Sequence, residues 1–340
     1  MALDLLRKID APRGLLAVEK ATVVYSLFTT LLIVCSWAEM SDPLALLRGR
    51  LEILLATLAL MFLYRLHPCR LTTYLRVVIQ LCFLTYWYPD TFELNRHLPN
   101  LDHVFASLEQ NLFGCQPALL FARTFPSKWM SEAVNLGYFF YYPMMFIVGT
   151  YIFLKKFDWF ERWSFILASS FYIYYTIYLF VPVVGPQFYF PVVGWENAEA
   201  GVFFPVGDYF NYHPELFPGR YDQPGFFYSL VETSQQLGER PTAAFPSSHV
   251  GISTLLMLMA GRLSRKLCCF LLPFYVLLCM ATVYIQAHYL IDVIVGFFSA
   301  FVIYFFTTFV YKYYFATPFF GATSLPASLR GRQKKDCRFS

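Results

Sequence analysis

The sequence predicts an all-α fold: a polytopic integral membrane helical bundle with about eight transmembrane helices. Three observations carry that expectation. Hydrophobic residues make up 58% of the 340 residues and aromatic residues 20%. Only 14% are charged, against roughly a quarter in soluble domains. The apolar residues also come in blocks of roughly 20, the length at which a helix crosses a hydrocarbon core. A soluble fold would have to bury every block in one core. The net charge of +4 is modest, and no nucleic-acid partner is expected from it.

In chain order, spans are expected at about 17–38, 50–66, 72–90, 133–154, 162–184, 248–264, 267–287 and 289–312. The first follows Arg7, Lys8, Arg13 and Lys20. It is too long for a signal peptide and lacks a small-residue cleavage site, so it reads as a retained span. The second and sixth are the shortest. Lysine and arginine bias sets the orientation. With a cytoplasmic N-terminus, the basic turns Lys155–Lys156 and Arg262–Lys266 and the basic tail all fall on the cytoplasmic side. Of 26 basic residues, the far side keeps only Arg48, Arg50, Arg96, Arg123, Lys128, Arg220 and Arg240. Both termini are thus expected in the cytoplasm. Three segments follow: N-terminal helices with an interfacial loop (1–132), a membrane core (133–315) and a basic cytoplasmic tail (316–340).

Two long loops fall on the far side, about 91–132 and 185–247. The first holds an apolar-periodic stretch from Leu101 to Phe121, expected as a helix lying in the interface. The second is rich in Phe, Tyr, Pro and Gly, and is expected to roof a site at the headgroup layer. The eight cysteines form no CxxC pair and read as small hydrophobes, with neither a disulfide framework nor a zinc site. The ending Cys337-Arg338-Phe339-Ser340 has a prenylation-like form, but the arginine is wrong for it and a solvated tail is the better reading.

Chemistry concentrates in two places. Ala244-Phe245-Pro246-Ser247-Ser248-His249 opens the sixth span, and His288-Tyr289-Leu290-Ile291-Asp292 follows the seventh. The sixth span descends from His249 to the basic turn. The seventh returns, and roughly 21 residues at about 1.5 Å each bring His288 back to the same surface. Asp292 lies four residues on, hence on the same helical face. A neutral imidazole can attack phosphorus and split one hard step into two. A carboxylate can fix its tautomer, and a second histidine can serve as acid and base. The catalytic candidates are therefore His249, His288 and Asp292. Ser247 and Ser248, with the first N–H groups of a helix, can donate to phosphate oxygens.

Each residue alone also has a structural reading: Asp292 as a helix cap, the histidines as interfacial polar groups. Their convergence, with a costly carboxylate at the membrane edge, favours function. His67, His97, His103 and His213 lack partner spacing. A serine hydrolase would need a GxSxG elbow, and a metal site tighter ligand clustering. No metal or cofactor is expected.

At these residues the chain resembles the type 2 phosphatidic acid phosphatase superfamily. The second motif of that family, Pro-Ser-Gly-His, appears as Pro246-Ser247-Ser248-His249, and the third ends His-x3-Asp, as do His288 and Asp292. The resemblance covers about residues 133–312 and implies a six-helix catalytic core. It also implies that His288 is the nucleophile, Asp292 its orienting acid and His249 the acid/base. The family's third motif begins Ser-Arg where this chain has Ala281-Thr282. Its first motif needs a lysine seven residues before Arg240-Pro241, where Thr233 stands. A phosphomonoester needs those cations more than a monoanionic phosphodiester does.

The string Ala281 to Tyr289 instead resembles the lipid phosphotransferase branch, the inositol phosphorylceramide synthases and sphingomyelin synthases. Val184 to Tyr189 resembles a segment lining the site in such proteins, which makes Gln187 a candidate headgroup donor beside Arg240. A Pro-Gly turn leaving the membrane explains that segment equally well. The resemblance implies transfer of a phospho-headgroup, possibly inositol phosphate, from a glycerophospholipid donor to a lipid alcohol such as ceramide, or a diacylglycerol-like acceptor. A lipid phosphate phosphatase using water is the alternative. A silent lipid-binding scaffold and a transporter are the readings from other classes, and a transporter should show repeated halves with broken helices. The site is expected on the non-cytoplasmic face of a bacterial inner membrane or a Golgi-type membrane.

Overall fold

The computed structural model describes residues 14–217 and 223–315, together with 5, 6, 8 and 9. The basic tail from 316, its ending Cys337–Ser340, and Arg7, Arg13 and Arg220 lie outside the described residues. Within them the chain is helical, with no strand beyond an isolated bridge between Lys8 and Cys69.

The helices run in this order: α1 (Ala17–Cys35), α2 (Pro43–Leu66), α3 (Arg70–Cys82), α4 (Leu84–Asn95), α5 (Asp102–Phe113), α6 (Pro117–Thr124), α7 (Lys128–Phe139) and α8 (Tyr141–Lys155). Then come α9 (Phe160–Phe180), α10 (Pro186–Val193), α11 (Trp195–Glu199), α12 (Tyr209–Tyr212), α13 (Phe226–Gly238), α14 (Ser248–Leu263), α15 (Arg265–Tyr284) and α16 (Leu290–Tyr314). Four are long and apolar enough to cross a membrane: α1, α9 with its leading turn, α15 and α16. The pair α7–α8, bent by 42°, makes a fifth when taken as one span. The chain is an all-helical integral membrane protein.

Every expected span coincides with helix, but several boundaries differ. The span expected from 50 begins at Pro43, where the Asp42 carboxylate accepts the Ala45 N–H at 2.9 Å. Arg48, Arg50 and Glu52 hide this start from a hydropathy reading. Arg50 is buried nonetheless, because it makes a two-pronged pair with Asp90 of α4 (3.0 and 2.7 Å) and lies over the Trp87 ring at 5.3 Å. Arg76 of α3 is likewise buried against Glu19 of α1 and over Tyr64. The span expected at 72–90 is two helices meeting at Phe83, and α4 continues to Asn95. The short sixth span is α14, framed by Ser247 and Ser264, whose hydroxyls cap α14 and α15.

The central helix is α9. It packs against α1, α3, α4, α8, α14 and α16, and most of its length is buried. Its tyrosines replace polar-to-water contacts with internal ones: Tyr172 stacks on Tyr25 at 4.5 Å and bonds the Thr22 hydroxyl at 2.9 Å. The two long loops form a second apolar cluster. There Phe188, Tyr189, Phe190 and Val193 of α10 meet Ala106 of α5, Leu119 of α6 and Tyr289. The stretch Leu101 to Phe121 is thus helical, as α5 and the start of α6. What the sequence shows as loop is a folded layer over one end of the bundle.

Candidate active site

Three chain turns interlock at that end. The Ala244 N–H donates to the Val183 carbonyl (2.9 Å), the Gln187 N–H to the Gln286 carbonyl (2.8 Å) and the Ser247 N–H to the Asp292 carbonyl (3.0 Å). Gly185 makes the closest approach. Its φ is +93°, and a Cβ there would lie 2.6 Å from the Ala287 oxygen, so no other residue fits. Tyr178 of α9 secures the second turn, donating to the Pro246 carbonyl (2.9 Å) and accepting the Ser248 N–H (3.1 Å).

These contacts bring His249 and His288 together, with ring centroids 5.8 Å apart. His249, in the first turn of α14, sits between the rings of Tyr138 (4.8 Å) and Tyr141 (4.6 Å). His288 is buried, and its Nδ1 lies 2.8 Å from the Ala244 carbonyl oxygen. A carbonyl can only accept, so Nδ1 carries the proton and Nε2 keeps its lone pair. Asp292 Oδ2 is 3.6 Å from Nδ1, beyond a hydrogen bond. It accepts the Tyr289 N–H instead, at 2.9 Å. Asp292 therefore lies beside the ring without bonding it, and the Ala244 carbonyl takes the tautomer-setting contact that the sequence assigns to Asp292.

His249 stands at the head of a cavity of about 500 Å³. Its walls are apolar and aromatic, running from Tyr88 and Tyr138 to Gly149, Phe160 and Trp163. Across α3 and α4, the lining from Tyr74 to Tyr88 corresponds to roughly 20 Å of helix, more than the about 15 Å of one leaflet. Among the described residues, no lysine or arginine lines it. Glu239, which carries no motif in the sequence, does, and accepts the Tyr88 hydroxyl at 2.7 Å. Burial pushes the Glu239 carboxyl up, while the Tyr88 hydroxyl pulls it back.

The other candidates divide. Ser248 lines the cavity. Ser247 is fully buried as a helix cap, its hydroxyl accepting the Val250 N–H at 3.4 Å. Gln187 accepts from the Gln235 amide at 3.2 Å, and both line a polar pocket of about 70 Å³ with Asn135 and Glu232. Gln235 also lines the large cavity, so it forms the wall between the two. Arg240 is half-buried, donates to the Glu239 carbonyl at 3.0 Å, and does not line the cavity that Glu239 lines.

Several contributors carry no sequence signal of their own. The Ala244 carbonyl is one, since any residue would offer it, and Tyr178 is another among many tyrosines. Asp102 and Glu109 on α5 do carry one. They are acids seven residues apart, hence on one face of the helix. A near-attack distance is about 3–3.5 Å, so a phosphorus between rings 5.8 Å apart is within reach of both imidazoles. His288, with a lone pair on Nε2, does not itself line the cavity but lies beside His249, which does; that pairing is equipped for phosphoryl chemistry on a lipid.

The family model of the PAP2 superfamily matches residues 103–306, more than half of the chain. The chain belongs to the PAP2 superfamily. Membership carries lipid phosphatase or phosphotransferase chemistry with it. No curated protein and no solved structure matches the chain.

Proposed function

We propose that this protein is a lipid phosphotransferase of the inositol phosphorylceramide synthase type. It moves a phospho-headgroup from a glycerophospholipid to a lipid alcohol such as ceramide, through a phosphohistidine. His288 Nε2 attacks phosphorus, and the bond from phosphorus to the diacylglycerol oxygen breaks. His249 hands that oxygen a proton. The acceptor hydroxyl then gives its proton to His249 and attacks phosphorus, and the phosphorus–nitrogen bond breaks. Two displacements leave the configuration at phosphorus retained. With the eight-span threading, the reaction takes place at the non-cytoplasmic face.

The observation that carries this reading is the cavity headed by His249, apolar along its walls and, among the described residues, lined by no lysine or arginine. A dianionic monoester would enter it with its charge uncompensated. A monoanionic diester brings half that charge, and the amides Gln187 and Gln235 suit a neutral, hydroxyl-bearing headgroup. Ser248, which lines the cavity, is the substrate-contacting candidate, and Gln187 reaches the cavity through its bond with Gln235.

The test is mass spectrometry of lipids after purified protein is incubated with phosphatidylinositol, with and without ceramide. Diacylglycerol released together with a headgroup-phosphorylated ceramide supports the proposal. Release of a free headgroup phosphate at the same rate whether or not ceramide is present would make water the acceptor and the protein a phosphatase.

A further inference from the structure

The helix α5 touches all three turns that build the reaction centre. The Leu101 N–H, just ahead of it, donates to the Pro182 carbonyl at 3.0 Å. The Phe105 ring packs on Phe245 at 4.7 Å. Asp102 is fully buried, and its two carboxylate oxygens accept from the Val184 N–H (2.7 Å), the Gly185 N–H (2.9 Å) and the Tyr289 hydroxyl (3.0 Å). Asn100 completes the set at 2.8 Å. Two turns along the helix, Glu109 is also fully buried, and its Oε2 accepts the Ile291 N–H at 3.1 Å in the first turn of α16.

The geometry points to Asp102 and Glu109 as positioning residues of the reaction centre. They act through Gly185, Tyr289 and the first turn of α16, and they hold the segment that carries His288 and Asp292. As a statement about catalysis, this rests on the phosphotransfer reading above.

The energetics favour a functional origin for these contacts. Burying a carboxylate costs several kcal/mol before any partner is supplied, and an apolar residue would anchor an interfacial helix more cheaply. Asp102 answers that cost with four donors, all outside α5. Glu109 answers it with the N-terminus of α16, where the free N–H groups and the helix dipole favour an acceptor. Burial pushes the Glu109 carboxyl up to about 8; the Ile291 N–H opposes this, and nearby Asp292 adds to it. Two acids of one helix thus hold both flanks of His288: Gly185 and Tyr289 through Asp102, Ile291 through Glu109. Misplacing a reacting group by about 1 Å can cost about 100-fold in rate. That is the error such a clamp prevents.

The test uses the full-length protein in detergent and two readouts, amide hydrogen exchange and turnover of a nitrophenyl phosphodiester. Glu109→Ala is expected to speed exchange in 288–292 and to lower kcat about 10- to 100-fold, with KM changed by no more than about twofold. Glu109→Gln keeps an acceptor for the Ile291 N–H, and is expected to restore kcat to within about threefold and the exchange rate with it. Asp102→Asn retains shape but turns an N–H toward donors, so exchange at Val184 and Gly185 should rise. Unchanged exchange in Glu109→Ala overturns the inference whatever the activity. A kcat loss that Glu109→Gln fails to relieve overturns it as well. If the unmodified protein does not turn over the probe while Glu109→Ala still speeds exchange, the clamp stands and the phosphotransfer reading falls.

Discussion

His288 can present Nε2 only if something holds the proton on Nδ1, and the Ala244 carbonyl at 2.8 Å does so. The spacing His288–Asp292 is legible in the sequence, because four residues on a helix share a face. The carbonyl is not, because its position depends on how the 243–247 turn docks on Val183. Glu239 was equally out of reach: its type is readable, but its place beside His249 comes from the fold of α13 against α7. The distinction has a consequence for Asp292→Asn. In a triad whose acid sets the tautomer, that change costs about 10,000-fold. Here the substituted amide can still accept the Tyr289 N–H, and Ala244 still holds the imidazole. What is lost is an acidic group 3.6 Å from the ring nitrogen Nδ1. Asp292→Asn is expected to lower kcat only about 10- to 100-fold. Steady-state rates on a nitrophenyl phosphodiester check this, and a loss near 10,000-fold would return the tautomer to Asp292.

At the scale of elements, apolar blocks marked where helices lie, while charges misplaced their ends. The start of α2 was hidden by Arg48, Arg50 and Glu52 because a hydropathy reading cannot know that Arg50 has a buried partner 40 residues away. The break at Phe83 was also unreadable, since that position holds no proline or glycine, whereas the break at Phe140 is signalled by Pro143, which cannot bond the Phe139 carbonyl. Close approaches behave similarly. A Cβ on Gly137 of α7 would lie 2.5 Å from backbone of Leu277 in α15, a requirement visible only once the two helices are side by side. The Arg50–Asp90 pair yields a direct prediction. Removing one partner leaves a buried charge, so Asp90→Ala should destabilise the protein by about 3–5 kcal/mol. Combining Arg50→Met with Asp90→Leu should recover most of that loss. Thermal unfolding in detergent measures both, and equal stability of the single and double variants would show the pair to be unimportant.

For the whole molecule, membership in the PAP2 superfamily fixes the class of chemistry, and the bias of basic residues predicts where it happens. With the expected threading, Ser264 between α14 and α15 lies in the cytoplasm and the exposed Trp129 at the start of α7 lies outside. In a background stripped of the eight native cysteines, a cysteine at 129 should react with an impermeant reagent on intact cells. One at 264 should react only after permeabilisation; the reverse pattern would put the site in the cytoplasm. The central claim is that His288 bonds to phosphorus while His249 moves the proton, and trapping the intermediate tests it most directly. The unmodified protein, His288→Ala and His249→Ala are each mixed with a labelled nitrophenyl phosphodiester, quenched, and scored for an initial burst and an acid-labile phosphoryl label. An acidic leaving group needs little protonation, so His249→Ala should still burst and should retain the label, because nothing then activates an acceptor. His288→Ala should show neither burst nor label. A label that persists in His288→Ala and disappears in His249→Ala would contradict the account and exchange the roles of the two histidines.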